Sequence, residues 1–325
     1  TPYTEVCLFV YGMYLNKITM AKILIATEKP FAKVAVDGIK EVAETAGLEI
    51  VLLEKYTEKA QLLAAVADVE AMIIRSDKID NEVFDAAKNL KIVVRAGAGY
   101  DNVDLAAATA HGVVVMNTPG QNSNAVAELV FGMLVFAVRN FYNGKAGTEL
   151  KGKKLGILAY GNVGRRVAHI AKGFDMDVYA YDAYCPAAAI ESDGVKAVSS
   201  QDELFEKCEV VSLHIPATAE TRQSINYALV GKMPKGGVLV NTARKEVINE
   251  PELLKLMQDR TDLKYVTDIM PEADADFRIL EGRYFSTPKK MGAQTAEANI
   301  NAGVAAAHQI AAFFKDGCTK YQVNK

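Results

Sequence analysis

The sequence predicts an α/β protein with two domains, each a parallel sheet covered by helices on both faces. Three observations support this fold class. Short apolar runs alternate with helical segments over residues 23–116, as in repeated βαβ units. A glycine turn joins an apolar strand to a helix within residues 154–166. The chain has 325 residues and half of them are apolar, which is enough for about two domains with sizeable cores.

The composition argues against several functional classes. The net charge is −3, so the chain lacks the basic surface of a nucleic-acid-binding protein. No apolar run reaches the length of a membrane span. The four cysteines are scattered without a CxxC pair, which favours reduced thiols in the cytoplasm. The four histidines lack metal-ligand spacing, so we expect no metal. The net charge and the short apolar runs lead us to expect no nucleic-acid partner and no membrane.

Residues 1–19 are expected to form an extension outside the fold. They begin with Thr1, are rich in aromatic residues, and precede Met20, which resembles a natural protein start running into the first strand. They lack the basic region and the long apolar core of a signal peptide.

The first domain is expected over residues 20–119. Apolar runs of four or five residues predict strands buried on both faces, and the segments between them predict the covering helices. Gly47 and Gly112 mark the ends of two of these helices. The predicted strands are 23–26, 49–53, 71–74, 92–95 and 113–116, and the predicted helices are 33–45, 59–66, 81–87 and 104–111.

A long apolar helix is predicted over residues 123–140, after the break at residues 117–120. Its only charged residues are Glu128 and Arg139, so the helix should be buried on several sides. We expect it to bridge the two domains and to join a subunit interface.

The second domain is expected over residues 120–295. Its strands are predicted at 155–159, 178–181, 210–214, 238–241 and 265–267. The alanine-rich last helix, 296–315, is expected to pack back on the first domain, which would therefore be discontinuous and include residues 296–325.

The glycine turn predicts a dinucleotide phosphate site. Gly161 would let the backbone approach a pyrophosphate, and Gly164 would let the helix pack tightly on the strand. The anion would then lie at the positive end of the helix. The first glycine of the usual motif is replaced by Ala159, which would be strained if its φ were positive.

Asp182 ends the next apolar strand, 18 residues after Gly164. A carboxylate at this place can accept hydrogen bonds from the hydroxyl groups of an adenosine ribose and would repel a 2′-phosphate. The sequence therefore predicts NAD rather than NADP as the cofactor.

Several blocks of the chain together resemble the D-isomer-specific 2-hydroxyacid dehydrogenases. The blocks are Arg75-Ser76, VVRAGAGYDNVDL at 93–105, VMNTPGQNSNAVAEL at 115–129, the glycine turn, VVSLHIPATAETR at 210–222, LVNTARKEVINE at 239–250, and TPKKMGAQTAEAN at 287–299. The resemblance implies two Rossmann- or flavodoxin-like domains with a cleft between them, and hydride transfer between carbon 2 of a 2-hydroxy acid and NAD.

Within the family, the chain looks most like members that act on 3-phosphoglycerate in L-serine biosynthesis and lack a C-terminal regulatory domain. We also expect a homodimer formed through the NAD-binding domain, on the evidence of the long apolar helix over residues 123–140. One alternative is a glyoxylate/hydroxypyruvate reductase or another D-2-hydroxyacid dehydrogenase. An alternative of another class is a nucleotide-sensing binding protein without catalytic activity.

The resemblance assigns three catalytic positions. Arg244 matches the catalytic arginine, whose guanidinium can bind a carboxylate and a carbonyl oxygen. The family's acid/base histidine would follow Pro288, but Lys289 stands there, with Lys290 as the neighbouring alternative. Glu272 is the predicted carboxylate partner of Lys289, and Asp274 and Asp276 remain alternatives.

The remaining site residues follow from the same blocks. For the cofactor the resemblance implies Tyr160, Gly161, Asn162, Val163, Gly164, Asp182, His214, Pro216, Thr242, Ala243 and Asp268. For the substrate it implies Arg75, Ser76, Ala98, Gly99 and Asn122, with Lys78, Arg95 and Arg139 as candidate partners of a phosphate.

Overall fold

The computed structural model of the chain describes residues 20–325. The predicted extension over residues 1–19 lies outside the described residues. The rest forms two compact units: one contains the described residues up to Pro119 together with Asn299–Lys325, and the other is Gly120–Ala298. The second boundary lies at Asn299 rather than at the predicted Ala296. The first turn of the last helix stays with the preceding loop, since the Ala298 N–H donates to the Thr295 hydroxyl at 3.1 Å.

The first unit is a five-stranded parallel sheet with the order β2-β1-β3-β4-β5, which is the flavodoxin-like order. Its elements match all nine that the sequence predicts for residues 20–119, with small differences at the ends. The strands are β1 Lys22–Thr27, β2 Glu49–Glu54, β3 Ala71–Ile74, β4 Ile92–Arg95 and β5 Val114–Asn117, and the helices are α1 Lys33–Thr45, α2 Lys59–Val66, α3 Asn81–Ala86 and α4 Leu105–Ala110.

The second unit is a seven-stranded parallel sheet with the order β12-β11-β10-β9-β6-β7-β8. Its strands are β6 Lys154–Leu158, β7 Asp177–Tyr181, β8 Lys196–Ala197, β9 Val210–Leu213, β10 Val238–Asn241, β11 Lys264–Thr267 and β12 Tyr284–Ser286. The strand order reverses at β6, which pairs with β7 on one side and β9 on the other. Ligands of open α/β sheets bind beyond the carboxyl ends of the strands at such a switch point.

The helices of the second unit begin with the long apolar one. They are α5 Ser123–Val138, α6 Asn162–Gly173, α7 Ala187–Glu191, α8 Gln201–Lys207, α9 Tyr227–Val230, α10 Glu250–Asp259 and α11 Asp274–Arg278. The sequence did not predict the short strands β8 and β12. The two-domain parallel α/β prediction is confirmed, while the cleft between the domains stays a prediction.

Helix α5 ends at Val138 rather than at the predicted residue 140. Asn140, Phe141 and Tyr142 have φ values of 51°, 54° and 54°, which is left-handed backbone that cannot continue a right-handed helix. The helix lies within the second unit, and most of its side chains are buried among the strands of that unit.

The last helix, α12 Ala296–Asp316, covers one face of the first sheet, as predicted. Ala302, Ala306 and Ile310 are buried in the same apolar cluster as Ile23 and Ile25 of β1. Within residues 20–325, no helix is long and apolar enough to cross a membrane.

Candidate functional site

The turn between β6 and α6 has the geometry of a phosphate-binding loop. Gly161 is the last residue before α6, whose first N–H groups lack partners within the helix. Gly164 packs so closely that a Cβ there would lie 2.4 Å from the carbonyl oxygen of Ala159, so only glycine fits. Asn162 and Val163 form the first turn of the helix, where an anion is favoured by the dipole.

Ala159 adopts a φ of +77°, the left-handed conformation that the sequence analysis identified as strained for alanine. The Ala159 N–H donates to the carbonyl of Tyr181 at 2.9 Å, which ties this residue to the end of β7. The tertiary structure therefore imposes a glycine-like conformation on a residue that has a Cβ.

Replacing Ala159 with glycine should stabilise the protein. Left-handed backbone costs an L-residue about 1–2 kcal/mol, and the greater unfolded-state freedom of glycine offsets about 0.5–1 kcal/mol of the gain. We expect the free energy of unfolding in urea to rise by up to about 1.5 kcal/mol. Ala168→Gly in α6 is the control and should lower it. A less stable Ala159→Gly protein would show that the strain is not released.

Asp182 follows β7 directly and is held by three backbone donors. Its carboxylate accepts hydrogen bonds from the N–H groups of Tyr160 and Tyr184, both at 2.7 Å, and of Cys185 at 2.8 Å. Burial favours the neutral acid, but these donors and the charge of Arg165 outweigh it and lower the pKa of Asp182. The carboxylate is therefore ionised and fixed in orientation.

A cavity of about 460 Å³ opens beside Asp182. Ala159, Ile215 and Pro216 line it together with Asp182, so residues from the carboxyl ends of β6, β7 and β9 meet at this place. Its other lining residues are Leu158, Tyr181, Ala183, Tyr184, Gln201, Thr218, Glu220, Thr221 and Ser224. The predicted cofactor residues Asp182 and Pro216 thus share one cavity next to the glycine turn.

His214 precedes this edge of the cavity and is a neutral residue. A ring nitrogen, Nε2, lies 2.9 Å from the Ser212 hydroxyl, and burial lowers the pKa of His214 to about 3. An imidazole with that pKa carries no charge at physiological pH.

Tyr160 is placed differently from the other predicted cofactor residues. Its side chain is buried in the core of the second unit and its hydroxyl donates to Asp193 at 3.1 Å. Its N–H is used by Asp182. Tyr160 therefore shapes the loop and holds Asp182 rather than offering a donor to a phosphate.

The turn after β10 carries Thr242, Ala243 and Arg244. Asn241 braces it from both sides: its Oδ1 accepts from the Ala243 N–H at 2.9 Å and its Nδ2 donates to the Arg244 carbonyl at 3.0 Å. The Arg244 guanidinium folds back to the Ala243 carbonyl at 2.9 Å. The Thr242 hydroxyl is buried without a hydrogen-bond partner in the described part of the chain.

Asp268 follows β11, the neighbour of β10, and is fully buried. One carboxylate oxygen accepts from the Gly292 N–H at 2.6 Å, and the other has no partner among residues 20–325. Burial raises the pKa of Asp268, against the Gly292 N–H and the charges of Lys290 and Arg244, which lower it. An oxygen without a partner is suited to accept a hydrogen bond from a ligand.

Lys290, rather than the predicted Lys289, lies beside Arg244. The Lys290 Nζ donates to the Ala243 carbonyl at 3.1 Å, the same oxygen that Arg244 contacts, and its charge acts on Asp268. Lys289 is exposed, and its ammonium has no hydrogen-bond partner within the described residues. Both lysines are exposed and the backbone bends at Pro288 and Lys289, but only the Lys290 side chain reaches the turn after β10.

The predicted pairing of Glu272 with Lys289 is absent. The Glu272 side chain is 80% exposed and pairs with Lys245 at 2.8 Å, and Lys289 is not among the charges that lower its pKa. The two alternatives are also placed otherwise. Asp274 pairs with Arg278 at 2.6 Å and accepts from the Tyr284 hydroxyl at 2.7 Å, and Asp276 lies on the exposed face of α11.

In the first unit, Arg75 follows β3 and is held by its own domain. Its guanidinium donates to the carbonyls of Lys29 and Pro30, each at 3.0 Å, and to Asn299 at 2.7 Å. Burial lowers its pKa, but an arginine stays protonated. Asn102 braces the same turn by donating to the carbonyls of Arg75 and Asp77 at 3.3 and 2.7 Å.

The other predicted substrate residues are divided between the units. Ser76 and Ala98 are exposed and Gly99 is half-buried at the ends of β3 and β4. Lys78 is exposed nearby, and Arg95 donates to the Arg75 carbonyl at 3.0 Å. Asn122 and Arg139 belong to the second unit, where they flank α5. The braces Asn102 and Asn241 were missed, although both lie in the quoted blocks.

These residues fit a dinucleotide. Three features lie at the carboxyl ends of strands of one sheet: the glycine turn, the fixed Asp182 carboxylate and the unpartnered Asp268 oxygen. No three histidine, cysteine, aspartate or glutamate side chains among residues 20–325 are grouped as metal ligands would be.

Comparison with known proteins agrees with this geometry. The family model of the D-isomer specific 2-hydroxyacid dehydrogenase, NAD binding domain, matches residues 132–284. A hydroxypyruvate reductase from Thermotoga maritima is 34% identical over 284 residues, which are 81% of this chain and 90% of that protein. The chain belongs to the D-isomer-specific 2-hydroxyacid dehydrogenases. NAD is therefore its cofactor, as predicted.

Two further members of the family are also similar. The NAD⁺-bound structure of 3-phosphoglycerate dehydrogenase from Entamoeba histolytica has a TM-score of 0.84 and 48% identity, and the match covers 94% of this chain and 99% of that one. D-3-phosphoglycerate dehydrogenase from Methanocaldococcus jannaschii is 33% identical over 291 residues, 84% of this chain and 55% of that protein. The chain thus spans about half the length of several curated relatives it matches.

Proposed function

We propose that this member of the family is an NAD-dependent D-3-phosphoglycerate dehydrogenase that interconverts 3-phosphoglycerate and 3-phosphohydroxypyruvate in L-serine biosynthesis. The observation that carries the proposal is the meeting of Arg244, Lys290 and Asp268 at the carboxyl ends of β10 and β11. The similarity to the phosphoglycerate dehydrogenases supports the choice of substrate.

The two cations divide the chemistry between them. NAD, when bound, supplies the hydride acceptor in oxidation and the donor in reduction. The Arg244 guanidinium would bind the substrate carboxylate and the oxygen on carbon 2, where negative charge develops during reduction. The Lys290 ammonium would give its proton to that oxygen in reduction, and the neutral amine would take it back in oxidation.

The second unit would orient the cofactor. The first turn of α6 would hold the pyrophosphate, and Asp182 would accept hydrogen bonds from the adenosine ribose in the neighbouring cavity. The unpartnered oxygen of Asp268 would accept a hydrogen bond from the carboxamide of the nicotinamide. Together these residues would hold the cofactor in a fixed orientation.

The first unit would bind the phosphate of the substrate. Arg75, Lys78 and Arg95 place three cationic side chains at the carboxyl ends of β3 and β4. The exposed backbone at Ala98 and Gly99 would offer N–H donors to the carboxylate, and Ser76 a hydroxyl. Asn122, which belongs to the second unit, stays a predicted substrate contact. Arg75 is held by three acceptors of its own, so its contribution is mainly charge.

A hydroxypyruvate or glyoxylate reductase is the second candidate, favoured by the match to the Thermotoga maritima protein, 90% of which the chain covers. NADH oxidation should be measured with 3-phosphohydroxypyruvate, hydroxypyruvate and glyoxylate side by side. We expect kcat/KM to be at least about tenfold higher for the phosphorylated substrate, since a phosphate gains charge-assisted hydrogen bonds that the others lack. Preference for the unphosphorylated acids would favour the reductase. Absence of turnover with intact NADH binding would favour a nucleotide-sensing binder.

A homodimer through the second unit is part of the proposal. Phe136, Phe141 and Tyr142 form an aromatic cluster at the end of α5, and Tyr142 is 65% exposed. An aromatic patch of this kind suits a protein interface. Sedimentation of the purified chain would measure the molar mass that decides it. The cytoplasmic location stays a prediction.

A further inference from the structure

A chain of contacts joins Asp182 to a second carboxylate, Asp193. The Tyr160 N–H donates to Asp182 at 2.7 Å, and the Tyr160 hydroxyl donates to Asp193 Oδ2 at 3.1 Å. Burial and Asp193 raise the pKa of Tyr160 to about 12, so the hydroxyl is a neutral donor. One buried tyrosine thus connects Asp182, the carboxylate predicted to bind the ribose, to Asp193.

Arg165 lies between the same two carboxylates. Its Nη1 donates to Asp193 Oδ2 at 2.5 Å, and its Nη2 lies 3.5 Å from the Sγ of Cys185, whose N–H donates to Asp182. The guanidinium lies 4.8 Å from the centre of the Tyr160 ring, in a cation–π contact. Its charge reaches Asp182, whose pKa it lowers. Arg165 does not line the cavity beside Asp182, but Cys185 contacts both residues, so the Arg165 cation lies close to the predicted ribose site.

An arginine at such a place is the usual partner of a 2′-phosphate in NADP-binding domains. Arg165 is not free to bind a 2′-phosphate. Its Nη1 donates to Asp193, and the Asp193 carboxylate neutralises its charge. Arg165 and Asp193 line a cavity of about 550 Å³. Arg166, His169 and Lys172 line it as well. Without Asp193, this side of the loop would be strongly positive.

We propose that Asp193 is a specificity-determining residue that reinforces the preference for NAD by holding Arg165 away from a 2′-phosphate. Asp182 repels the phosphate directly, while Asp193 withholds the arginine that could bind it. The inference rests on the proposed contact of Asp182 with the adenosine ribose.

The test is Asp193→Asn, which keeps the shape of the side chain and an acceptor for the Tyr160 hydroxyl but removes the charge. The dissociation constants of NADH and NADPH should be measured by fluorescence titration of the purified chain, which needs no turnover. We expect the preference for NADH over NADPH to fall about tenfold, the value of one charge-assisted hydrogen bond. Asp177→Asn is the matched control.

Asp177 lies at the amino end of β7, the end opposite to Asp182, and pairs with Lys196 at 2.7 Å. Asp177→Asn therefore removes a similar ion pair away from the predicted ribose site. Asp177→Asn should leave the NADH preference unchanged. Arg165→Gln tests whether Asp193 acts through Arg165. In a protein that already carries Arg165→Gln, Asp193→Asn should not change the NADH preference further. An effect that persists without Arg165 overturns the inference, as does an Asp193→Asn protein that behaves like Asp177→Asn.

Asp182→Asn separates this inference from the proposal on which it rests. If Asp182→Asn leaves the NADH preference unchanged, the ribose contact itself is wrong. If Asp182→Asn relaxes the preference while Asp193→Asn does not, only the present inference fails. Melting temperatures of all variants show whether each is folded, and the comparison of Asp193→Asn with Asp177→Asn decides the outcome even if Arg165→Gln does not fold.

Discussion

Replacing Lys290 with methionine should lower kcat for reduction of 3-phosphohydroxypyruvate by about 10²–10⁴-fold, the usual contribution of a general acid. Methionine keeps the apolar length of the side chain but cannot donate a proton. Lys290 reaches the carbonyl that Arg244 also contacts, so it lies where the oxygen on carbon 2 is expected. The KM for NADH should change little.

Lys289→Met is the control, because it makes the same chemical change one residue earlier. Lys289 is exposed and its ammonium contacts none of the described residues through a hydrogen bond, so we expect at most a few-fold loss. The reverse order, with a large loss only for Lys289→Met, would restore the assignment that follows from the position after Pro288. Rescue of Lys290→Ala by added methylamine would show that the missing group is the amine.

Replacing Arg244 with alanine should reduce kcat/KM by at least about 10²–10³-fold, as for the loss of one donor to a developing oxyanion. The loss should be greater in kcat than in the affinity for NADH, because Arg244 faces the substrate in the proposed reaction. Arg244→Lys keeps the charge but not the planar fork, so it should recover only part of the activity.

Two measurements make the Arg244 result specific. NADH binding by fluorescence should be retained, which shows that the second unit is folded and that its cofactor site is intact. Arg222→Ala removes an exposed arginine elsewhere in the same unit and should leave kcat/KM within a few-fold of the parent. An Arg244→Ala enzyme with near-normal turnover would refute the proposed site.

The proposed catalytic lysine shows what the sequence could not decide. The block after Thr287 indicates that a lysine replaces the histidine, but two lysines are adjacent. Only the contact with Ala243 distinguishes Lys290 from Lys289, and that contact depends on β11 pairing with both β10 and β12. The partner of Glu272 shows the same limit, because the loop after β11 places this side chain beside Lys245 and not beside Lys289.

The braces Asn102 and Asn241 show a second limit. Their side chains bind main-chain carbonyl and N–H groups of turns. They are uncharged and follow no periodic pattern, so the sequence alone does not mark them as functional. Their partners become visible only when the turns that they hold have a known shape.

The sequence by itself determined the features that depend on neighbours along the chain. Alternating strands and helices, the glycine cradle at Gly164, and Asp182 at the end of the next strand all follow from local spacing. Only the tertiary structure decided the sign of φ at Ala159, the choice of Lys290 and the contacts of Arg165, because each depends on atoms from strands and loops distant in sequence.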